Sequence, residues 1–191
     1  MTHLAIVYHS GYGHTHEQAL AVARGAERVP GTKVDLIRIE GPAQDFVPLL
    51  DRLETADAII FGAPTYMGSV SAPFKAFMDA SSRVWAAGKW KDKLAAAFTN
   101  SASHSGDKLS SLIQLSVFAA QHGMVWVNLG LPAGNNTTKG SHEDLNRLGG
   151  FLGAMAQSPA DAGADIGPSA SDKRTAEHLG KRVAEAAKRW G

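Results

Sequence analysis

Five short apolar runs recur along the chain, most of them followed by a stretch of helical spacing. This alternation constrains the fold more than any other feature. The runs are HLAIVY (3–8), KVDLIRI (33–39), ADAIIFG (56–62), KLAAAFTN (93–100) and GMVWVNL (123–129). Short, continuous apolar runs rich in β-branched residues are the form strands take when both faces are covered. Between them, HEQALAVARGAERV places Ala19, Leu20, Val22, Ala23 and Ala26 on one helical stripe. SAPFKAFMDASSRVW opens with Ser71 as an N-cap and Pro73 in the first turn, and DKLSSLIQLSVFAAQHG closes on Gly123. The last helical segment, SDKRTAEHLGKRVAEAAKRWG, starts acidic and ends basic, which suits a helix dipole. Strands alternating with helices specify a parallel α/β sheet with right-handed crossovers.

Two doubly wound orders are common at this size. No G-x-G-x-x-G follows the first strand, which weighs against the dinucleotide-binding order and leaves 2-1-3-4-5. We therefore expect a five-stranded parallel sheet between two helical layers, built as a single domain over residues 1–191. The stretch 131–171, rich in Gly, Ala, Asn, Ser and Pro, is expected as long loops at the sheet's C-terminal edge, with a short helix near Leu145–Ala156.

Composition narrows the function. With 19 basic and 18 acidic residues the formal net charge is +1. No basic run offers a phosphate-tracking surface for nucleic acid. There is no cysteine, so disulfides, thiolate metal sites and thiol catalysis are excluded. MTHLAIVYHS has neither a basic n-region nor a long apolar h-region, and no apolar run approaches the ~20 residues of a bilayer span. A cytoplasmic protein without membrane attachment is the expectation.

The loop HSGYGHTHEQA (9–19) admits three readings. As a metal site, His14 and His16 lie two apart and point to different sides of a helix start, so no metal is expected. As a nucleophile, Ser10 lacks the G-x-S-x-G elbow. As an anion site, Ser10 and Thr15 offer hydroxyls, Gly11 and Gly13 let the backbone wrap closely, and a helix N-terminus supplies free N–H groups. The lysine of G-x-x-x-x-G-K-[ST] is missing, so a terminal monophosphate fits better than a triphosphate. A tight βα turn capped by Ser10 or Thr15 is the plain alternative. GAPTYMGSVSAPFKAFMDA (62–80) and TNSASHSGD (99–107) open on the same edge. Together the three loops suit a flat heteroaromatic ring with a phosphorylated tail.

These stretches, with VWAAGKWKDKLAAAFTNSASHSGD and QHGMVWVNLG, resemble the flavodoxin-like FMN proteins, and more closely the WrbA family of NAD(P)H:quinone oxidoreductases. The resemblance covers about the first two-thirds of the chain. It implies a three-layer flavodoxin-like fold and FMN as cofactor, with two electrons passed from NAD(P)H as co-substrate to a quinone. Ser10, Gly11, Tyr12, Gly13, His14 and Thr15 would hold the FMN phosphate. Pro64, Thr65, Tyr66, Met67 and Gly68 would line the ribityl chain and ring. Asn100, Ser101, Ala102, Ser103 and Gly106 would border the pyrimidine side. His122 would approach the flavin and act on the quinone oxygen; its other reading is a C-terminal helix histidine favoured by the dipole. Trp85 would wall the substrate pocket from a neighbouring subunit of a dimer or tetramer, or serve, like Trp90, as a packing aromatic. His104 and Tyr66 are gate candidates or loop-surface residues. The chain departs from the family at Tyr66–Met67, where an Arg–Phe pair is usual, at SASHSG, and over 135–171. A one-electron flavodoxin-type carrier for protein partners, and an FMN or azo reductase with a non-quinone acceptor, are the alternatives.

Overall fold

In the computed structural model, which describes residues 1–191, the order of elements is as follows. β1 is Thr2–His9, α1 His14–Glu27, β2 Thr32–Ile39, α2 Val47–Leu53, β3 Ala58–Tyr66 and β4 Ser69–Val70. Then come α3 Ala72–Ala80, α4 Ser82–Ala86, β5 Leu94–Ser101, α5 Lys108–Gln121, β6 Val125–Trp126, β7 Ala154–Gln157 and α6 Ala170–Trp190.

The sheet runs β2-β1-β3-β5-β6, all parallel. Counting only the five principal strands, this is the expected flavodoxin-like 2-1-3-4-5 order. Alternate residues of each strand feed opposite layers, as a period of two requires. In β1, Ala5 and Val7 join Ile59, Phe61, Phe74, Phe77 and Trp90 beneath α2–α5. Leu4, Ile6 and Tyr8 join Ile60, Val22 and Leu179 beneath α1 and α6. The second layer depends on close approach of two helices. A Cβ on Gly25 would run into the Glu177 carbonyl, and one on Gly180 into the Val22 carbonyl. Backbone cannot yield as a side chain does, so Gly180→Ala should lower stability by about 1–3 kcal/mol, read as a fall in Tm. An unchanged Tm would mean that the helices do not pack this tightly.

Four details differ from the sequence reading. The fifth run holds strand pairing only at Val125–Trp126, opposite Leu94 and Ala95. Its place beside the upper half of β5 is taken by β7, which pairs Ala154–Gln157 with Phe98–Ser101. The short helix expected near Leu145–Ala156 does not form. Asn146 and Gly149 take φ of 51° and 68°, which no helix continues through, and residues 154–157 are strand. The expected helix over 71–85 is two helices that break at Ser81. Its hydroxyl donates to the Met78 carbonyl, 2.7 Å away, which bends the chain there. Finally α2, seven residues with a proline in its first turn, carries no periodicity long enough to have been read. No helix is long and apolar enough to cross a membrane.

Candidate functional site

Parallel strands deliver their following loops to one edge, and here four segments meet there: those after β1, β3, β5 and β7. They enclose a cavity of about 560 Å³, within the range of small-molecule sites. Of the residues expected, Tyr12, His14, Thr15, Pro64, Thr65, Tyr66, Asn100, Ser101 and Ala102 line it, while Ser10, Gly11, Gly13, Met67 and Gly68 lie outside its wall.

The first loop is built as a cradle. Gly13 is the N-cap of α1 with φ of 90°, a conformation that favours glycine. Ser10 is buried, its Oγ accepting from the His16 N–H at 3.1 Å. That caps the helix from three residues further back than usual and leaves the other first-turn N–H groups without intrahelical partners. A Cβ on Gly11 would meet the Tyr66 hydroxyl at 2.6 Å, and one on Gly13 would meet Ala164 at 2.7 Å, so a side chain at either would push its neighbour away from the cavity. The three histidines have separate tasks. His9 pairs with Ser71 Oγ at 2.8 Å, and His16 Nδ1 with the Tyr8 hydroxyl at 2.6 Å. His14 Nε2 donates to the Ala162 carbonyl at 2.8 Å.

The second loop places Thr65 in a buried hydroxyl chain, its Oγ1 2.8 Å from both Thr99 Oγ1 and Ser111 Oγ. Tyr66 stands edge-on to Tyr12, with ring centroids 6.2 Å apart. Burial raises the Tyr66 phenol above its ordinary range, and Tyr12 adds to the shift. Met67 is fully exposed at φ 49°, and Gly68 completes the turn at φ 76°. In the third loop, Gly106 and Asp107 take φ of 52° and 53°. Ser103 contributes its carbonyl, which accepts from Ser101 Oγ and Lys108 Nζ, and neither Ser103 nor Gly106 reaches the cavity wall.

A fourth segment joins them, from the stretch expected as loops at this edge but not assigned to the cofactor. Ser158, Ala160, Ala162 and Gly163 line the cavity after β7. They are held by Asn100 Nδ2 donating to Ser158 Oγ at 2.9 Å and by the His14–Ala162 bond. Arg38 was missed: from the neighbouring β2 it donates to the Ser10 carbonyl at 3.4 Å, so a cation reaches a loop that contains none. Only the adjacency of β1 and β2 reveals it.

His122 and Trp85 are not brought to this cavity. They line a separate groove beside α5, and His104 lines a third, larger one between α5 and the 135–155 stretch. His122, expected to approach the flavin, is 6 % exposed. Its ring packs 4.4 Å from that of Trp90 and 4.8 Å from that of Phe118, and its Nε2 donates to Ser81 Oγ at 2.9 Å. Burial pushes it down to about 4. A base whose folded pKa lies below its unfolded one binds fewer protons when folded, so its stabilisation is full above about pH 6.5. It is lost as pH falls toward 4, on the order of 3 kcal/mol in all. His9 and His178 are shifted the same way by burial. His122→Phe should therefore flatten, without abolishing, the decline of Tm between pH 6.5 and 4; an unaltered slope would remove His122 from the account.

The comparisons with known proteins fit this geometry. The model of the NADPH-dependent FMN reductase family matches residues 15–138. The chain belongs to that family. Flavodoxin FldP of Pseudomonas aeruginosa is 46% identical over 184 residues, covering 96% of each chain. An NAD(P)H dehydrogenase (quinone) of Geobacter sulfurreducens is 32% identical over 205 residues, covering 95% of this chain and 96% of its own. The crystal structure of a flavodoxin, WrbA-like protein from Agrobacterium tumefaciens superposes with a TM-score of 0.79 at 41% identity, over 100% of both chains. This FMN reductase family member is thus WrbA-like, an oxidoreductase that uses FMN. Its 135–171 stretch, which lacks a counterpart in the motifs read from sequence, falls inside matches of this extent.

The cradle fits the cofactor. It offers neutral donors at a helix N-terminus for a phosphate, and the side chains of Thr65, Tyr66, Asn100, Ser101 and Ser158 around the rest of the cavity.

Proposed function

We propose that the protein transfers two electrons from NAD(P)H through FMN to a quinone or similar small acceptor. The observation that carries this is the composition of the cavity wall: no Asp or Glu lines it. Clustered carboxylates would repel a reduced, anionic flavin, whereas a neutral wall tolerates one. Bound FMN supplies the acceptance and donation of a hydride. The chain's part is to bind and orient. Ser10, Thr15 and the backbone of Gly11–His14 hold the phosphate, while Pro64–Gly68 and Asn100–Ala102 flank the chain and ring. Ser158, Ala160, Ala162 and Gly163 complete the wall beside the first loop, tethered by His14 and Asn100.

A specific observation favours the second reading, a one-electron carrier: the 46%-identical relative is named a flavodoxin. The neutral wall favours turnover instead, and anaerobic titration of the FMN-loaded protein with NAD(P)H and then a benzoquinone separates the two.

A homo-oligomer, dimer or tetramer, belongs to this reading. Met67 beside the cavity, Trp85, and Leu109, Ile113 and Val117 along one face of α5 are all exposed, more apolar surface than isolated residues explain. Light scattering after gel filtration should give a mass at least twice the 20.1 kDa chain; a monomer would refute this part. The cofactor assignment has its own test. The purified protein is expected to bind FMN one to one and turn yellow, and a protein that stays colourless with excess FMN would overturn it.

A further inference from the structure

Lys108 is a buried ionisable group beside the cavity that the function above leaves unused. It is the first residue of α5 and only 1 % exposed. A cation there opposes the positive end of the helix dipole and incurs the desolvation cost of a charge. Its side chain turns back under the third loop, where all three ammonium protons are spent. Nζ donates to Ser101 Oγ at 2.7 Å, to the Ser103 carbonyl at 2.8 Å and to the His104 carbonyl at 2.8 Å. Those bonds hold the turn in which Gly106 and Asp107 adopt left-handed backbone. Ser101 and Ala102 of the same loop line the cavity, so the charge sits one layer behind its wall.

The neighbouring charges do not cancel it. Asp172, at the start of α6, is already clamped by Arg147, with Nε–Oδ1 at 2.8 Å and Nη2–Oδ2 at 2.7 Å. Lys108, Arg147 and Asp172 together leave one net positive charge inside the protein.

We propose that Lys108 positions the third loop and biases bound FMN toward its fully reduced, anionic form. The inference rests on the FMN reading given above. The nicotinamide delivers two electrons and one proton together as a hydride and leaves as NAD(P)⁺. The flavin therefore gains one unit of negative charge, and the ammonium behind the wall attracts it. Burial lowers Lys108 to about 8, with Asp172 acting to raise it and Arg147 to lower it. Its influence should therefore fade as the pH rises past 8.

The test uses the full chain loaded with FMN, with Lys108→Gln keeping a donor but no charge and Lys108→Met keeping neither. At pH 7 both should bind reduced FMN about tenfold more weakly relative to oxidised FMN. Dye equilibration reads that as a two-electron midpoint about 30 mV more negative. Lys108→Met alone should also weaken oxidised FMN, because the loop loses its clamp. The wild-type midpoint should fall more steeply with pH just above pH 8 than below it, a readout that stands even if neither variant folds. A variant that binds FMN with the wild-type midpoint, or a wild-type profile without that change of slope, overturns the role of Lys108 while leaving the cofactor reading intact. A wild-type protein that binds no FMN overturns both.

Discussion

Alanine at both Ser10 and Thr15 should weaken FMN binding about 100-fold or more, measured by quenching of FMN fluorescence on titration with apoprotein. The estimate takes two hydrogen bonds to a charged group at about 1.5–3 kcal/mol each. Ser10 carries a second burden, because its Oγ caps α1 through the His16 N–H, and loss of such a cap costs about 1 kcal/mol of helix stability. Riboflavin, which lacks the phosphate, separates the two effects. Its affinity should change little in the double variant if the hydroxyls serve the phosphate. Unchanged FMN affinity would refute the phosphate assignment, and equal losses for FMN and riboflavin would assign the effect to the helix cap.

The second large effect concerns the pair that anchors the insertion between β6 and β7. Arg147 and Asp172 side chains are 6 % and 1 % exposed, and Asp172 also accepts from the Gln157 N–H at 2.9 Å. Asp172→Ala would leave a buried guanidinium without its partner and an amide without its acceptor. Breaking such a pair costs about 3–5 kcal/mol, which for a chain of 191 residues is a Tm about 10 °C lower. Replacing both partners with apolar residues (Arg147→Met with Asp172→Leu) should recover much of that loss, because the destabilisation comes from the stranded charge. A single variant that melts like the wild type would mean the insertion is anchored elsewhere.

The parts of this molecule that could be read from sequence are those where one physical demand acts alone. β1, β3 and β5 are buried on both faces, so their apolar runs are continuous and unambiguous. Strand order followed from alternation and from the missing G-x-G-x-x-G. Ser10, Gly11, Gly13 and Thr15 were legible because a neutral cradle needs hydroxyls and glycines at that spacing. What escaped depends on residues distant in sequence. The edge strand is divided between Val125–Trp126 and Ala154–Gln157, and neither half is long enough to show a period. Arg38 reaches the first loop only because β2 lies beside β1. Ser158–Gly163 stand beside it because Asn100 and His14 hold them there, and nothing local in SPADAGADIG announces that. The histidines misled in the other direction. In sequence His122 reads equally as a group facing the quinone or a helix-end residue, and its packing against Trp90 and Phe118 is a tertiary fact.

Two-electron transfer from NAD(P)H through FMN to a small acceptor is tested most directly by one anaerobic experiment on the FMN-loaded protein, followed by the visible absorbance of its oxidised flavin. One equivalent of NADH or NADPH should bleach the flavin completely, and one equivalent of a soluble benzoquinone should restore it, with quinone and nicotinamide consumed one to one. A flavin that stays oxidised with both nucleotides, yet accepts electrons singly from a chemical reductant, would contradict the account and mark the protein as a carrier.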